Sequence, residues 1–242
     1  MEATFFDKLI GVSFSFLETL IFGFTAYFVI SKKKKIELPV IFLFSFWVFT
    51  AISFFAIFVM LLNYHFFGMP LEKAHFFIVV VWVSIGASLF SIFLFLLSKI
   101  SATIWAKIPS AFLFAFLIIF LLFFYFKDAK IGVKMNDPWV YSPFEKIGIY
   151  SLIGVILICL LTFLLIIKEE FKKKKITWHN LSLLYNYFAL FIYGIISFIR
   201  SFYFFPRPII IEIFYFLIPY LAYLARKEEL KERDEFLLKN KN

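Results

Sequence analysis

Hydrophobic residues fall in long unbroken runs along this chain, and the charged residues gather in short clusters between them. Walking the runs predicts seven helices, at residues 10–31, 38–63, 74–98, 103–126, 147–167, 177–199 and 208–225. Each is about the roughly 20 residues needed to cross a hydrocarbon core about 30 Å thick. A membrane β-barrel is built from segments of about ten residues that alternate apolar and polar, whereas these runs are continuously apolar and about twice as long. Helices satisfy every backbone group within one segment, which lipid demands. The predicted fold is therefore an all-α membrane protein: a seven-transmembrane-helix bundle over residues 1–225, with a cytoplasmic helical tail over 226–242.

Composition sharpens this reading. Of the 242 residues, 63% are hydrophobic, 24% aromatic and only 17% charged, with a mean hydropathy of +0.94. A soluble domain is about 45–50% apolar and about 25% charged, so a water-soluble fold is excluded. The net charge of +9 is distributed as topology requires. Seventeen Lys and Arg fall on the side of loops 32–36, 99–107 and 168–176 and the tail, against eight on the other side. That asymmetry places the first group in the cytoplasm and the N-terminus outside. The start Met-Glu-Ala-Thr-Phe-Phe-Asp-Lys lacks the basic opening and small-residue cleavage site of a signal peptide. The clusters Lys32, Lys33, Lys34, Lys35 and Lys172, Lys173, Lys174, Lys175 suit anionic inner-leaflet lipids. No nucleic-acid partner is expected. Cys159, the only cysteine, lies within the fifth predicted span, so no disulfide framework is expected.

Two parts of the chain echo one another. Phe6-Asp7-Lys8, a span and the lysine run 32–35 correspond to Phe144-Glu145-Lys146, a span and the run 172–175. Each run precedes an aromatic-rich span, a loop with Phe-Phe and Pro (Phe66-Phe67-Gly68-Met69-Pro70; Phe204-Phe205-Pro206) and a third span. The expectation is a 3+1+3 parallel repeat, residues 1–98 and 144–225, joined by a linker helix at 103–126. This topology resembles that of the sugar-transporting SWEET and PQ-loop proteins, which implies small-solute transport, although their Pro-Gln pair and paired helix prolines are missing.

Charges inside the spans mark candidate chemistry. Glu18 is the deepest, about eight residues or about 12 Å below the predicted outer end of its helix. An ionised carboxylate there costs several kcal/mol unless it is paired, hydrated or protonated. Glu212 lies in the seventh span, Arg200 closes the sixth on the same side, and Asn186 lies near the sixth span's middle. If the first and seventh helices are neighbours, Glu18, Asn186, Arg200 and Glu212 line one outward-facing polar cavity that binds a ligand. His65, His75 and His179 do not fit a metal site, because the first two fall outside and the third inside. No span has a central histidine for haem, and residues 208–225 contain no lysine for a retinal Schiff base. No cofactor is expected.

Pro70-Leu71-Glu72-Lys73-Ala74-His75-Phe76-Phe77 resembles the Pro-x-Glu-Glu…Phe-Phe stretch of the small membrane-bound lycopene cyclases. Lys73 replaces the second acid, so the general-acid pair for cyclisation is incomplete, and a non-enzymatic role is expected. In the tail, Glu232-Arg233-Asp234-Glu235-Phe236-Leu237 resembles the linker that leads into the phosphoacceptor helix of sensor histidine kinases, some of which carry seven-helix sensor regions. Neither a phosphoacceptor histidine nor a nucleotide-binding motif follows it through Asn242. The i,i+4 pair Glu229 and Arg233, with Tyr223, Leu230 and Leu237 at heptad spacing, predicts that the seventh helix continues into the tail, where a signalling partner or a second copy would dock. The outer connection 127–146 is expected to be a long loop with a turn at Asn136-Asp137-Pro138, acting either as a lid over the outward cavity or, through Trp139 and Tyr141, as an interfacial anchor. The reading is a sensor or signalling module that binds a small apolar or amphipathic ligand from the outer side. The alternative is a small-solute transporter or channel.

Overall fold

A computed structural model describes residues 5–31, 33, 36–99, 104–127, 130–134 and 137–141, and, further along, 157, 160, 164, 167, 168, 217–220, 223, 224, 226–228, 230 and 231. Four helices come first: α1 (Phe5–Ile30), α2 (Leu38–Phe66), α3 (Leu71–Lys99) and α4 (Ile104–Lys127). Three contain stretches long and apolar enough to cross a membrane, Lys8–Ile30, Leu38–Phe66 and Glu72–Ser98. In α4 the apolar stretch is the shorter Lys107–Phe120. These apolar helices fit an integral membrane protein in a lipid bilayer.

The helices outrun the charge-free runs that predicted them. α1 starts at Phe5 rather than 10 and α3 at Leu71 rather than 74, so Asp7, Lys8, Glu72 and Lys73 are helical. A charged residue ends the part of a helix that suits hydrocarbon, and it does not end the helix. Backbone signals do that. Pro39 stands at the first positions of α2 after an extended Glu37 (φ −84°, ψ 154°). After α2, Gly68 adopts φ +64° while the amides of Phe67 and Met69 both donate to the Asn63 carbonyl, at 3.1 and 3.0 Å.

α2 is the central helix, packed along α1 on one side and α3 on the other. α1 and α2 run antiparallel, as their contacts show: Phe5 meets Phe66, Phe16 meets Phe58, and Phe22 stacks on both Phe54 and Trp47. α3 and α4 are also antiparallel, with Phe93 stacked on Phe114 at 4.1 Å. Between them Gly86 admits a close approach. A β-carbon there would stand 3.0 Å from Ile118 Cγ2 and 3.3 Å from Leu122 Cδ1. One apolar core joins Ile21, Phe22, Phe46, Trp47, Phe95, Phe114 and Ile218. Away from it, Phe6, Phe24, Trp105, Phe112 and Phe116 are exposed, as side chains facing lipid tails are.

The connection after α4 is not a plain loop. Strands β1 (Lys130–Lys134) and β2 (Asp137–Tyr141) form an antiparallel hairpin in which Lys130 pairs with Tyr141 and Lys134 with Asp137. Ile131, Val133, Trp139, Val140 and Tyr141 are β-branched or aromatic and favour strands over the expected loop. Asp137 and Pro138, expected in the turn, belong to β2. The hairpin packs against α2 and α3. The fifth and seventh predicted spans are represented by isolated residues, all helical, and the sixth lies outside the described residues.

Candidate functional site

Glu18 sits at the middle of α1, about 18–20 Å from either end at 1.5 Å per residue. Because α1 begins at Phe5, the start of the helix is farther from Glu18 than the charge-free run gave. The side chain has no exposed surface (0%). It shares a face of α1 with Ser15, Phe22 and Thr25, all buried and spaced three or four residues apart. Three hydroxyls on this helix bond to its own carbonyls: Ser15 Oγ donates to Gly11 O at 3.0 Å, Thr19 Oγ1 to Ser15 O at 2.8 Å, and Thr25 Oγ1 to Ile21 O at 2.8 Å.

α2 and α3 bring further hydroxyls to the same depth. Thr50 Oγ1 donates to Phe46 O at 2.8 Å and lies 2.9 Å from Ser88 Oγ across the α2–α3 interface. Ser53 Oγ donates to Thr50 O at 2.7 Å, and Ser84 is buried one turn before Ser88. Ser15, Glu18, Thr50, Ser53, Ser84 and Ser88 each lie within about one turn, 3.6 residues, of the midpoint of their own helix. The antiparallel contacts bring those midpoints level: α1 and α2 meet through Phe22 with Phe54 and Trp47, and α2 and α3 through Thr50 with Ser88. Among the described residues, a hydroxyl-bearing section therefore crosses the middle of an otherwise largely apolar bundle, with the Glu18 carboxyl group in it. Such a section can hold a proton on the carboxyl, or bond a ligand's polar group where the surroundings offer no water.

A second polar feature caps the far end of α1. Phe28 meets Tyr223 edge to face, with centroids 5.8 Å apart. Arg226 Nε donates to the Ser31 carbonyl at 2.7 Å. That carbonyl is among those a helix end leaves without an intrahelical partner, and a cation there also favours the negative end of the helix dipole. Ile218 is buried in the same core as Ile21 and Phe22. Residues 217–220, 223, 224, 226–228, 230 and 231 are helical.

Of the four residues expected to line one cavity, Glu18 is placed as above, and Asn186, Arg200 and Glu212 lie outside the described residues. Among the described residues no three His, Cys, Asp or Glu side chains are grouped to hold a metal. The buried hydroxyls carry no charge to mark them in the sequence. Their signal was present in Ser84, Ser88 and Ser91, which recur at helical spacing through an apolar run and are all buried. Comparison with protein families, with curated proteins and with solved structures finds no match for this chain.

Proposed function

We propose that this chain is a seven-span membrane sensor or signalling module, with its N-terminus outside and its tail in the cytoplasm. A small apolar or amphipathic ligand enters from the outer side and is bound by Glu18 with Asn186, Arg200 and Glu212, and the helices of the tail carry the response. The observation that carries this reading is the Arg226 hydrogen bond to Ser31, because it ties the tail to the same helix that bears Glu18. A shift or rotation of α1 on binding would move that carbonyl and so bias the tail between docked and released positions. The tail then meets a cytoplasmic partner or a second copy.

A photo-crosslinker at position 227 of the full chain in its native membrane tests this. The expected result is one defined adduct, lost when Gly-Gly inserted after Arg226 breaks helical continuity. An adduct pattern that the insertion leaves unchanged would overturn it. The hydroxyl-bearing section favours a second reading, a transporter that uses Glu18 as a proton site, since such residues also mark proton relays. Proteoliposomes with an internal pH-sensitive dye separate the two. A sensor holds an imposed pH gradient, and a transporter collapses it in a manner lost with Glu18→Gln.

A further inference from the structure

α4 ends short of the helix it packs against. The contacts that align it with α3 are those of Phe93 with Phe114 and of Gly86 with Ile118 and Leu122. Carried along the two antiparallel axes, they set Lys127 level with about residues 77–81 of α3, roughly 9–15 Å short of Leu71 at 1.5 Å per residue. Hairpin β1–β2 takes up the chain there. Lys130 follows Lys127 at a distance of at most roughly 11 Å, and both strands pack on α3, with β2 also on α2. The apolar stretch of α3, Glu72–Ser98, is about 40 Å long at 1.5 Å per residue, longer than a hydrocarbon core of about 30 Å. The hairpin therefore stands beside the layer in which α3 passes from hydrocarbon to headgroups. Its two faces differ, because residues directly opposite in an antiparallel pair share a face and successive residues alternate. The pairs Ile131–Val140 and Val133–Pro138 make one face wholly apolar. The pairs Lys130–Tyr141, Gly132–Trp139 and Lys134–Asp137 give the other face two aromatic residues, two cations and one anion.

We propose that the hairpin is an interfacial anchor: the face bearing Lys130, Lys134, Asp137, Trp139 and Tyr141 binds the headgroup layer of zwitterionic phospholipid, and the apolar face lies on α2 and α3. A two-stranded hairpin carries unpaired backbone groups along its edges. Hydrocarbon admits no open sheet edge, whereas the wet headgroup layer does, and that layer also favours tryptophan and tyrosine. Lysine stems follow the apolar boundary and leave their ammonium groups among the phosphates. A lone hairpin is marginal in water, so its apolar face needs the cover that the sides of α2 and α3 supply. Charges of both signs on the lipid-binding face match a headgroup that itself carries both, and Glu72 and Lys73, exposed at the start of α3, continue that balance. Phe66, Phe67 and Phe76, exposed near the same ends of α2 and α3, extend the aromatic band. A hairpin held in this way is fixed to lipid and does not open and close over the bundle. The assignment needs an integral membrane protein and nothing more, so it stands or falls apart from the sensor reading.

The test uses the full chain in phosphatidylcholine vesicles, with an environment-sensitive fluorophore on a single cysteine, Lys130→Cys or Ile131→Cys, in a Cys159→Ser background. These neighbours lie on opposite faces and leave Trp139 and Tyr141 in place. A lipid with a nitroxide on its headgroup should quench the label at position 130 several-fold more than the label at position 131, and more than does a lipid with the nitroxide at the end of its acyl chain. Trp139→Ala with Tyr141→Ala should remove most of that quenching while the helices melt near the wild-type temperature by circular dichroism. Phosphatidylglycerol in place of half the phosphatidylcholine should leave it unchanged. Quenching at position 130 by aqueous iodide with none by lipid would overturn the anchor and mark a lid that faces water. Shielding from both quenchers would overturn it by showing that protein covers the face. Stronger lipid quenching at position 131 would overturn the assignment of faces, and a gain with phosphatidylglycerol would overturn the zwitterionic headgroup in favour of an anionic one.

Discussion

Glu18 is where one side chain sets the terms for its surroundings. A carboxyl group with no exposed surface in the middle of an apolar helix is expensive in the charged form, so its replacement separates two roles. If Glu18 binds a ligand or a proton, Glu18→Gln should leave the melting temperature of the purified protein near wild type while removing the response at the tail, and Glu18→Leu should be at least as stable. If Glu18 only bonds its neighbours, Glu18→Leu should lose about 1–3 kcal/mol through polar groups left unsatisfied. The Thr50–Ser88 contact at 2.9 Å permits a smaller and cleaner measurement. A double-mutant cycle with Thr50→Val and Ser88→Ala should give a coupling of about 0.6 kcal/mol and no more than about 1.7, the range found for hydrogen bonds between membrane helices. Zero coupling would mean that the two hydroxyls are satisfied by their own helices.

Pairs of helices are positioned by what their contact points lack. At Gly86 there is no side chain, and Ile118 and Leu122 of α4 fill the space. Gly86→Ile should therefore force α4 away from α3 and lower the thermal stability, and Ile118→Ala should restore part of the loss by making room. If the two changes add without compensation, the close approach does not govern the packing. Gly68 acts on the α2–α3 turn in another way. Its φ of +64° is open to glycine and costs other residues roughly 1–2 kcal/mol, so Gly68→Ala should destabilise by about that much even though no atom stands within 4 Å of the new β-carbon. Chemical denaturation in detergent measures both variants.

Across the molecule, the tail meets α1 at the end where the lysine count leads one to expect the cytoplasm. The charge asymmetry predicts that an impermeant thiol reagent on intact cells labels a cysteine at Ala3 and spares one at Asn240, in a Cys159→Ser background. Labelling of position 240 would reverse the whole topology. Arg226→Ala should loosen the tail from Ser31 and raise its cleavage by added protease, while α1 to α3 keep their helicity by circular dichroism. Unchanged cleavage would show that Phe28 and Tyr223 hold the junction without the guanidinium.

The number and extent of the first four helices were legible along the chain, because a bilayer of set thickness imposes run lengths that need no knowledge of neighbours. The runs placed α2 and α4 within a few residues of their observed ends. They fell short at the start of α1 and, by about as much as at the end of α2, at the start of α3, since they register where hydrocarbon ends and the backbone continues past it. Glu18 stood out because charge inside a span is conspicuous. Ser15, Thr50, Ser53, Ser84 and Ser88 did not, because a hydroxyl that bonds its own helix is tolerated anywhere along an apolar run. Only the antiparallel register of α1, α2 and α3 brought these hydroxyls to one level with the carboxyl group. The meeting of Arg226 with Ser31 joins residues 195 positions apart, and no periodicity spans such a distance. Local pattern follows from the solvent each residue must match, whereas the partners of a polar group depend on which helices the fold sets side by side.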